Sequence, residues 1–166
     1  MQLPPLILLE DHNGNWSQYI DTVYQCFEAD FVKSRAKYDG KRIQLRHHPR
    51  TQGKESTFWH LVSDGSISDG TEEEDRLPDL RRCERVGWVR VLIDNAGTST
   101  DIRVWENTRK GKINVCICYG DWEYLVVLGK RNGYTLLLTA YCVENDRKRQ
   151  LQRDYNKAQA QKSPKS

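Results

Sequence analysis

Long apolar runs are missing from this sequence. No stretch approaches the roughly 18 apolar residues of a membrane-spanning helix, so a protein of that kind is not expected. Leu3 to Leu9 is too short, and Glu10-Asp11 follows at once, which argues against a signal peptide. Cysteine is scarce and odd in number. Five irregularly spaced residues point to reduced thiols in an intracellular, cytoplasmic protein rather than to a disulfide framework. Metal-ligand spacing is lacking too. Cys116 and Cys118 are two apart and share a strand face, but no second Cys or His pair completes a zinc-type set. The adjacent His47 and His48 point opposite ways on extended chain. Neither common phosphate-binding glycine loop occurs, and no serine sits in a nucleophile elbow. No metal and no cofactor is therefore expected.

What is present is a succession of short strand-like runs between Asp101 and Asn145. Ile102–Asn107, Ile113–Tyr119, Glu123–Leu128 and Tyr134–Val143 are rich in β-branched and aromatic residues, which suit a pleated, half-buried surface. Arg109-Lys110-Gly111, Gly120-Asp121 and Asn132-Gly133 separate them. Asn-Gly is a strong hairpin signal, because a type I′ turn needs positive φ at both centres. The pattern predicts an antiparallel meander with one face under helices and the other holding the site. In the last run Leu136, Leu138, Ala140 and Cys142 form an apolar row expected to face the helices. Thr135, Leu137, Thr139 and Tyr141 would then face the open side.

Along the rest of the chain, Trp16, Tyr19, Ile20, Val23 and Phe27 repeat at helical spacing behind a capping Asn15, predicting a helix from Trp16 to Ala29. Arg42–Arg46 alternates polar and apolar and reads as a short edge strand stopped by Pro49. Lys54–Val62 passes abruptly from polar residues to bulky apolar ones around His60, which is either a half-buried histidine bonded to backbone or a reactive group. Gly65–Glu74 reads as a flexible acidic loop. Pro78 and Gly97 bracket a further helix, with Leu80, Cys83, Trp88, Val91, Leu92 and Asn95 on one face and Arg81, Arg82, Arg85 and Arg90 around the others. Arg81 and Arg85 are neighbours on one side, so an acidic group or a bound phosphate should offset them. Glu144–Ala160 is a polar helix with a thin seam of Leu151 and Tyr155, and Gln159 to Ser166 is expected to be disordered. The whole predicts an α+β fold: N-terminal helices packed on a four-stranded antiparallel β-meander, with a C-terminal polar helix. It forms one domain over 1–152, with 153–166 as a basic, flexible tail.

The net charge of +3 is unevenly spread. From Asn145 onward seven Lys/Arg stand against two Asp, leaving the preceding chain slightly acidic. A basic tail suits a polyanion, and equally a solvated helix end. A hydroxyl pair, Thr139 and Tyr141, near arginines and one histidine suits a phosphodiester. Metal-free RNA cleavage needs a base for the 2′-hydroxyl proton, an acid for the 5′-oxygen, and donors for the developing phosphorane charge. Histidine fits either proton role, and arginine fits the phosphate.

Thr57-Phe58-Trp59-His60, Pro78-Asp79-Leu80-Arg81-Arg82-Cys83-Glu84-Arg85, Val104-Trp105-Glu106-Asn107, Tyr124–Leu128 and Leu138-Thr139-Ala140-Tyr141 occur in this order. Together they resemble a family of small phage- and prophage-associated proteins, itself similar to the barnase, EndoU, colicin and RelE (BECR) class of RNases. The resemblance runs from about Trp16 to Gln152. It implies helices followed by an antiparallel sheet, and a metal-independent endoribonuclease acting as a toxin or phage-defence effector. It also implies His60 as general acid or base, and Arg82 and Arg85 as phosphate or transition-state binders. Thr139 and Tyr141 become substrate-side hydroxyls, and Glu106 an orienting or second proton-transfer group. Arg81 and the hairpin residues Lys110 and Lys112 become RNA contacts, unless they are merely solvated. The partners implied are tRNA or mRNA and a neutralising antitoxin or immunity protein. A competing reading is a non-enzymatic RNA- or protein-binding module on the same scaffold, and a weaker one is a prophage structural or regulatory protein that docks a partner strand on its sheet.

Overall fold

The computed structural model describes residues 1–64 and 77–162, so the acidic stretch Gly65–Glu74 lies outside the described residues. Helix α1 (Trp16–Phe27) starts where the Asn15 side chain accepts the Gln18 N–H, at 3.1 Å. It buries Tyr19, Ile20, Val23 and Phe27, the stripe that the spacing predicts. The chain then winds on through a π-helical turn, Glu28–Val32, that buries Phe31. Strands β1 (Lys37–Tyr38) and β2 (Lys41–Gln44) follow, then helix α2 (Ser56–Val62). A two-stranded ribbon, β3 (Ser63–Asp64) with β4 (Leu77–Pro78), leads into helices α3 (Leu80–Glu84) and α4 (Val86–Asn95).

One continuous helix is expected between Pro78 and Gly97, and the structure breaks it at Arg85, which sits at φ −110° and ψ 14°. The break turns the apolar face. Val86, Val89, Leu92 and Ile93 are buried in α4, whereas Leu80 is exposed and Trp88 and Val91 are half-buried.

Strands β5 (Ile102–Arg109), β6 (Lys112–Tyr119), β7 (Tyr124–Lys130) and β8 (Thr135–Cys142) pair consecutively and antiparallel. They are part of a larger mixed sheet in the order β1-β2-β8-β7-β6-β5. β2 runs parallel to β8 through Ile43↔Thr135 and Gln44↔Leu136, so the segment expected at the edge is interior and β1 takes the edge. The fold is α+β, and its main sheet has six strands rather than four. Positive φ at both centres of a two-residue hairpin occurs at Lys110 (52°) and Gly111 (76°), not at Asn132-Gly133, where only Gly133 has it. There the loop closes through the Arg131 N–H and the Tyr134 carbonyl.

Among the described residues both faces of the β5–β8 part of the sheet are covered. On one side Val115, Ile117, Val126 and Leu128 pack with Tyr19, Phe27, Phe58 and Val89 of the N-terminal helices. On the other, Trp105, Cys116, Cys118, Trp122 and Leu125 pack with Leu151 and Ala158 of helix α5 (Asn145–Lys162). The boundary drawn at Gln152 falls inside α5, whose second half is seated by Asp154, Tyr155 and Ala158. Burial pushes the Cys116 and Cys118 thiols up to about 12. Among the described residues no helix is long and apolar enough to cross a membrane.

The row Thr135, Leu137, Thr139, Tyr141 does not share one face either. A bulge shifts the register, so Leu128 faces Leu137 while Val127 faces Thr139. One extra residue inverts the alternation. Leu137 joins the core under the N-terminal helices, and Tyr141 packs toward α5.

Leu151 is 2% exposed and carries much of the apolar contact between α5 and the sheet. Leu151→Ala is expected to lower the urea-unfolding free energy by about 2–5 kcal/mol, the usual cost of truncating a buried leucine. A loss under about 0.5 kcal/mol, the level of an ordinary surface change, would mean that α5 does not seal this face.

Candidate functional site

α2 is short because it is a plug. Every residue in it is buried except His60, which is half-buried. Thr57 ties its first turn to β2's extension by accepting the Arg46 N–H at 2.7 Å and donating its own to the Arg46 carbonyl. Trp59 Nε1 donates to the Thr51 carbonyl. A helix leaves its last four carbonyls without partners in the helix, and here the site begins. The His60 carbonyl accepts from Thr139 Oγ1 at 3.2 Å and from Arg82 Nη1 at 3.4 Å.

Arg82 gets there through α3. Asp79 caps that helix by accepting the N–H groups of Arg81 and Arg82, and its own N–H bonds the Val62 carbonyl at 2.7 Å. The guanidinium, 13% exposed, donates to the Ser63 carbonyl at 2.8 Å. It lies 3.8 Å from Asp64 and 5.4 Å from the centre of the Tyr141 ring. Its Nε is 3.9 Å from Asp79, too far to bond, and has no partner among the described residues.

β2 pairs with only Thr135 and Leu136 of β8. Further along that strand, Thr139 and Tyr141 meet α2 and α3 instead. The Tyr141 hydroxyl accepts from Arg147 Nε of α5 at 3.1 Å, while Arg147 Nη1 reaches Gln150 at 2.7 Å. Arg147 was not legible as a site residue. It stands in a polar segment whose inward face only Leu151 and Tyr155 mark.

The backbone carbonyl of His60 and the side chains of Arg82, Thr139 and Tyr141 therefore come together, and Arg147 joins them. Arg85 and Arg81 stand beside this group, lining a cleft of about 290 Å³ with Trp88, Val143 and Lys148. Arg85 donates to the Arg81 carbonyl and to Glu84, and lies 5.2 Å over Trp88. Arg81 pairs with Glu144 at 2.7 Å, which supplies the acid that its spacing from Arg85 calls for.

Glu106 is not in the group. It sits on β5, three strands from β8 and so about 14 Å away at the usual strand spacing. It alternates with Trp105 and so faces the N-terminal helices. There its carboxylate bonds Lys130, in a cleft of about 580 Å³ with Arg35, Lys37, Tyr38 and Arg90. That hydrogen bond holds the Lys130 ammonium above its ordinary pKa. Lys110 and Lys112 are exposed at the β5–β6 turn, the far end of the meander from Tyr141.

Removing the Arg82 side chain would leave two carbonyls short of a donor. Arg82→Ala is expected to cost about 1–3 kcal/mol in urea unfolding. Arg81→Ala, breaking an exposed pair, should cost no more than about 1 kcal/mol. Equal, small effects would show that Arg82 does not clasp α2.

Compared with protein-family models, with curated proteins and with solved structures, the chain gives no match.

Proposed function

We propose that the chain is a metal-independent endoribonuclease whose reaction centre is the junction of α2, α3 and β8. One observation supports this reading above the others. Three separate segments converge there through the His60 carbonyl, the Arg82 guanidinium, the Thr139 hydroxyl and the Tyr141 ring, and His60 is the one residue of α2 that is not fully buried.

In the proposed reaction a base removes the 2′-hydroxyl proton and O2′ attacks phosphorus. The P–O5′ bond breaks, and an acid returns a proton to O5′. The products are a 2′,3′-cyclic phosphate and a 5′-hydroxyl. The His60 imidazole takes one of the proton roles. The Tyr141 hydroxyl, which accepts from Arg147, keeps its own proton to donate to a phosphoryl oxygen, and Arg147 adds positive charge beside it. Arg85 and Arg81 would hold the flanking phosphates. Thr139 serves as a positioning residue, since its hydroxyl is spent on the His60 carbonyl. The expected substrates are tRNA or mRNA in the cytoplasm, with the activity restrained by an antitoxin or immunity protein.

A second reading has an observation of its own. The Arg82 and Thr139 donors are engaged by backbone carbonyls, as in a scaffold that binds RNA without cutting it.

The deciding experiment incubates total RNA with the protein in EDTA, with and without ribosomes, comparing wild type with His60→Ala and Tyr141→Phe. The enzyme reading expects cyclic-phosphate ends from wild type and a loss of about 10²–10⁴-fold in His60→Ala, the usual worth of a general acid or base. It also expects a pH dependence of the rate that His60→Ala removes. Equal cutting by wild type and His60→Ala sinks it. Salt-sensitive binding without any cutting favours the scaffold reading.

A further inference from the structure

Several cations of the described chain face an acid. Arg50 pairs with Glu55, Lys54 with Asp21, Arg81 with Glu144, Arg90 with Asp94, Lys130 with Glu106 and Lys148 with Asp121. Others do not, and some of those gather on α5 and at the β5–β6 turn. Among the described residues Arg149, Arg153 and Lys157 of α5, with Arg109, Lys110 and Lys112 at the β5–β6 turn, are exposed and in no ion pair.

The α5 members stand four residues apart, so they form one outward row about 12 Å long at the helical rise. Among the described residues no acid is ion-paired with that row. α5 has two acids. Asp146 lies in the first turn, and Asp154 is turned inward, accepting from Trp105 Nε1 at 2.6 Å and Asn107 Nδ2 at 2.8 Å. Like charges at this spacing repel one another in the free protein.

Both ends of the row lead somewhere. At the N-terminal end Arg147 touches the Tyr141 hydroxyl. At the other end Lys157 lines a cleft of about 350 Å³ with Thr108 and Ile113, which flank the basic turn, and with the carboxylates Glu106 and Asp154, which are bonded to Lys130 and to Trp105 and Asn107. The cations thus trace a line from the reaction centre to the far end of the sheet. The outward neighbours of the row, Gln150, Asn156 and Ala160, offer no aromatic anchor for a protein interface and no apolar face for a bilayer. A linear polyanion backbone fits.

We propose that the outer face of α5 and the β5–β6 turn form a binding track for a single RNA strand, which delivers it to the Tyr141–Arg147 end. The RNA identity of the strand rests on the reading of the centre as an RNase site.

The test uses the full chain and a labelled 2′-O-methyl RNA 12-mer, which lacks the attacking hydroxyl and so cannot be cut. Binding is followed by anisotropy across a KCl series for wild type, for His60→Ala, and for a triple variant, Arg149→Gln, Arg153→Gln and Lys157→Gln. These exposed changes keep good helix formers. The expected result is wild-type binding by His60→Ala. The triple variant should bind at least about tenfold more weakly at low salt, with a log–log salt slope smaller by about two, roughly 0.7 for each of three single-strand phosphates. Its cleavage of a dinucleotide should stay at the wild-type rate while cleavage of long RNA falls. An unchanged affinity and slope in the triple variant, or no binding by wild type, overturns the track. So does equal competition by polyglutamate or anionic vesicles, which would point to an acidic protein or a membrane surface. Binding with these properties but no RNA cleavage by wild type upholds the track and removes the enzyme reading.

Discussion

Strands β6 and β7 bury both of their faces. Val115, Cys116, Ile117 and Cys118 are all at or below 3% exposure, and Tyr124, Leu125 and Val126 at or below 1%. An apolar surface on each side of a sheet has to be covered on each side. The N-terminal helices cover one, and α5 covers the other. At about 25 cal/mol per Å² of apolar area, leaving Trp105, Trp122 and Leu125 in water would cost more than ordering a polar helix end. This constraint sets where a functional site can be. With both faces occupied, chemistry is pushed to the rim of the sheet.

The rim opens along β8. β2 stops pairing after Leu136, and the bulge that follows re-aims Thr139 and Tyr141 toward the ends of α2 and α3. Backbone carbonyls that the end of α2 cannot satisfy are met there by Arg82 and Thr139. The same groups that balance the helix end therefore tie the backbone at His60 to β8 and to α3. A cation held by carbonyls keeps its charge while losing its freedom.

Much of this could be read from the chain. The stripe of α1, its Asn15 cap and the four meander strands follow from local periodicity and turn chemistry, which act over a few residues. What failed needed knowledge of a neighbour. The sequence of β8 alternates without a break, and a bulge is invisible until the partner strand is known. The spacing from Pro78 predicts one helix, but Arg85 leaves helical geometry where the α3 and α4 packing surfaces differ. The covered second face, by contrast, has a signal in the sequence. Val115–Cys118 and Tyr124–Leu128 are continuous apolar runs, the mark of strands buried on both sides, not of a half-exposed meander. Glu106 fell out because spacing says nothing about which strand is three places away in a sheet.

α5 joins these threads. Its apolar seam is thin, so its hold on the sheet depends on a polar anchor. The Asp154 carboxylate takes one bond from the Trp105 indole and one from Asn107, while Trp105, Trp122 and Tyr155 pack edge to face around it. Buried polar bonds of this kind are directional, and they set the rotation of the helix as well as its depth. That rotation points Arg147 at Tyr141 and turns Arg149, Arg153 and Lys157 outward. An apolar seam alone would tolerate a slip of the helix about its axis. The carboxylate does not, because a slip would leave the indole and amide donors buried and unpaired. The polar composition that makes the segment read as a loosely held tail is therefore what aims its charges, and the geometry at the β8 rim depends on an anchor at the opposite edge of the sheet.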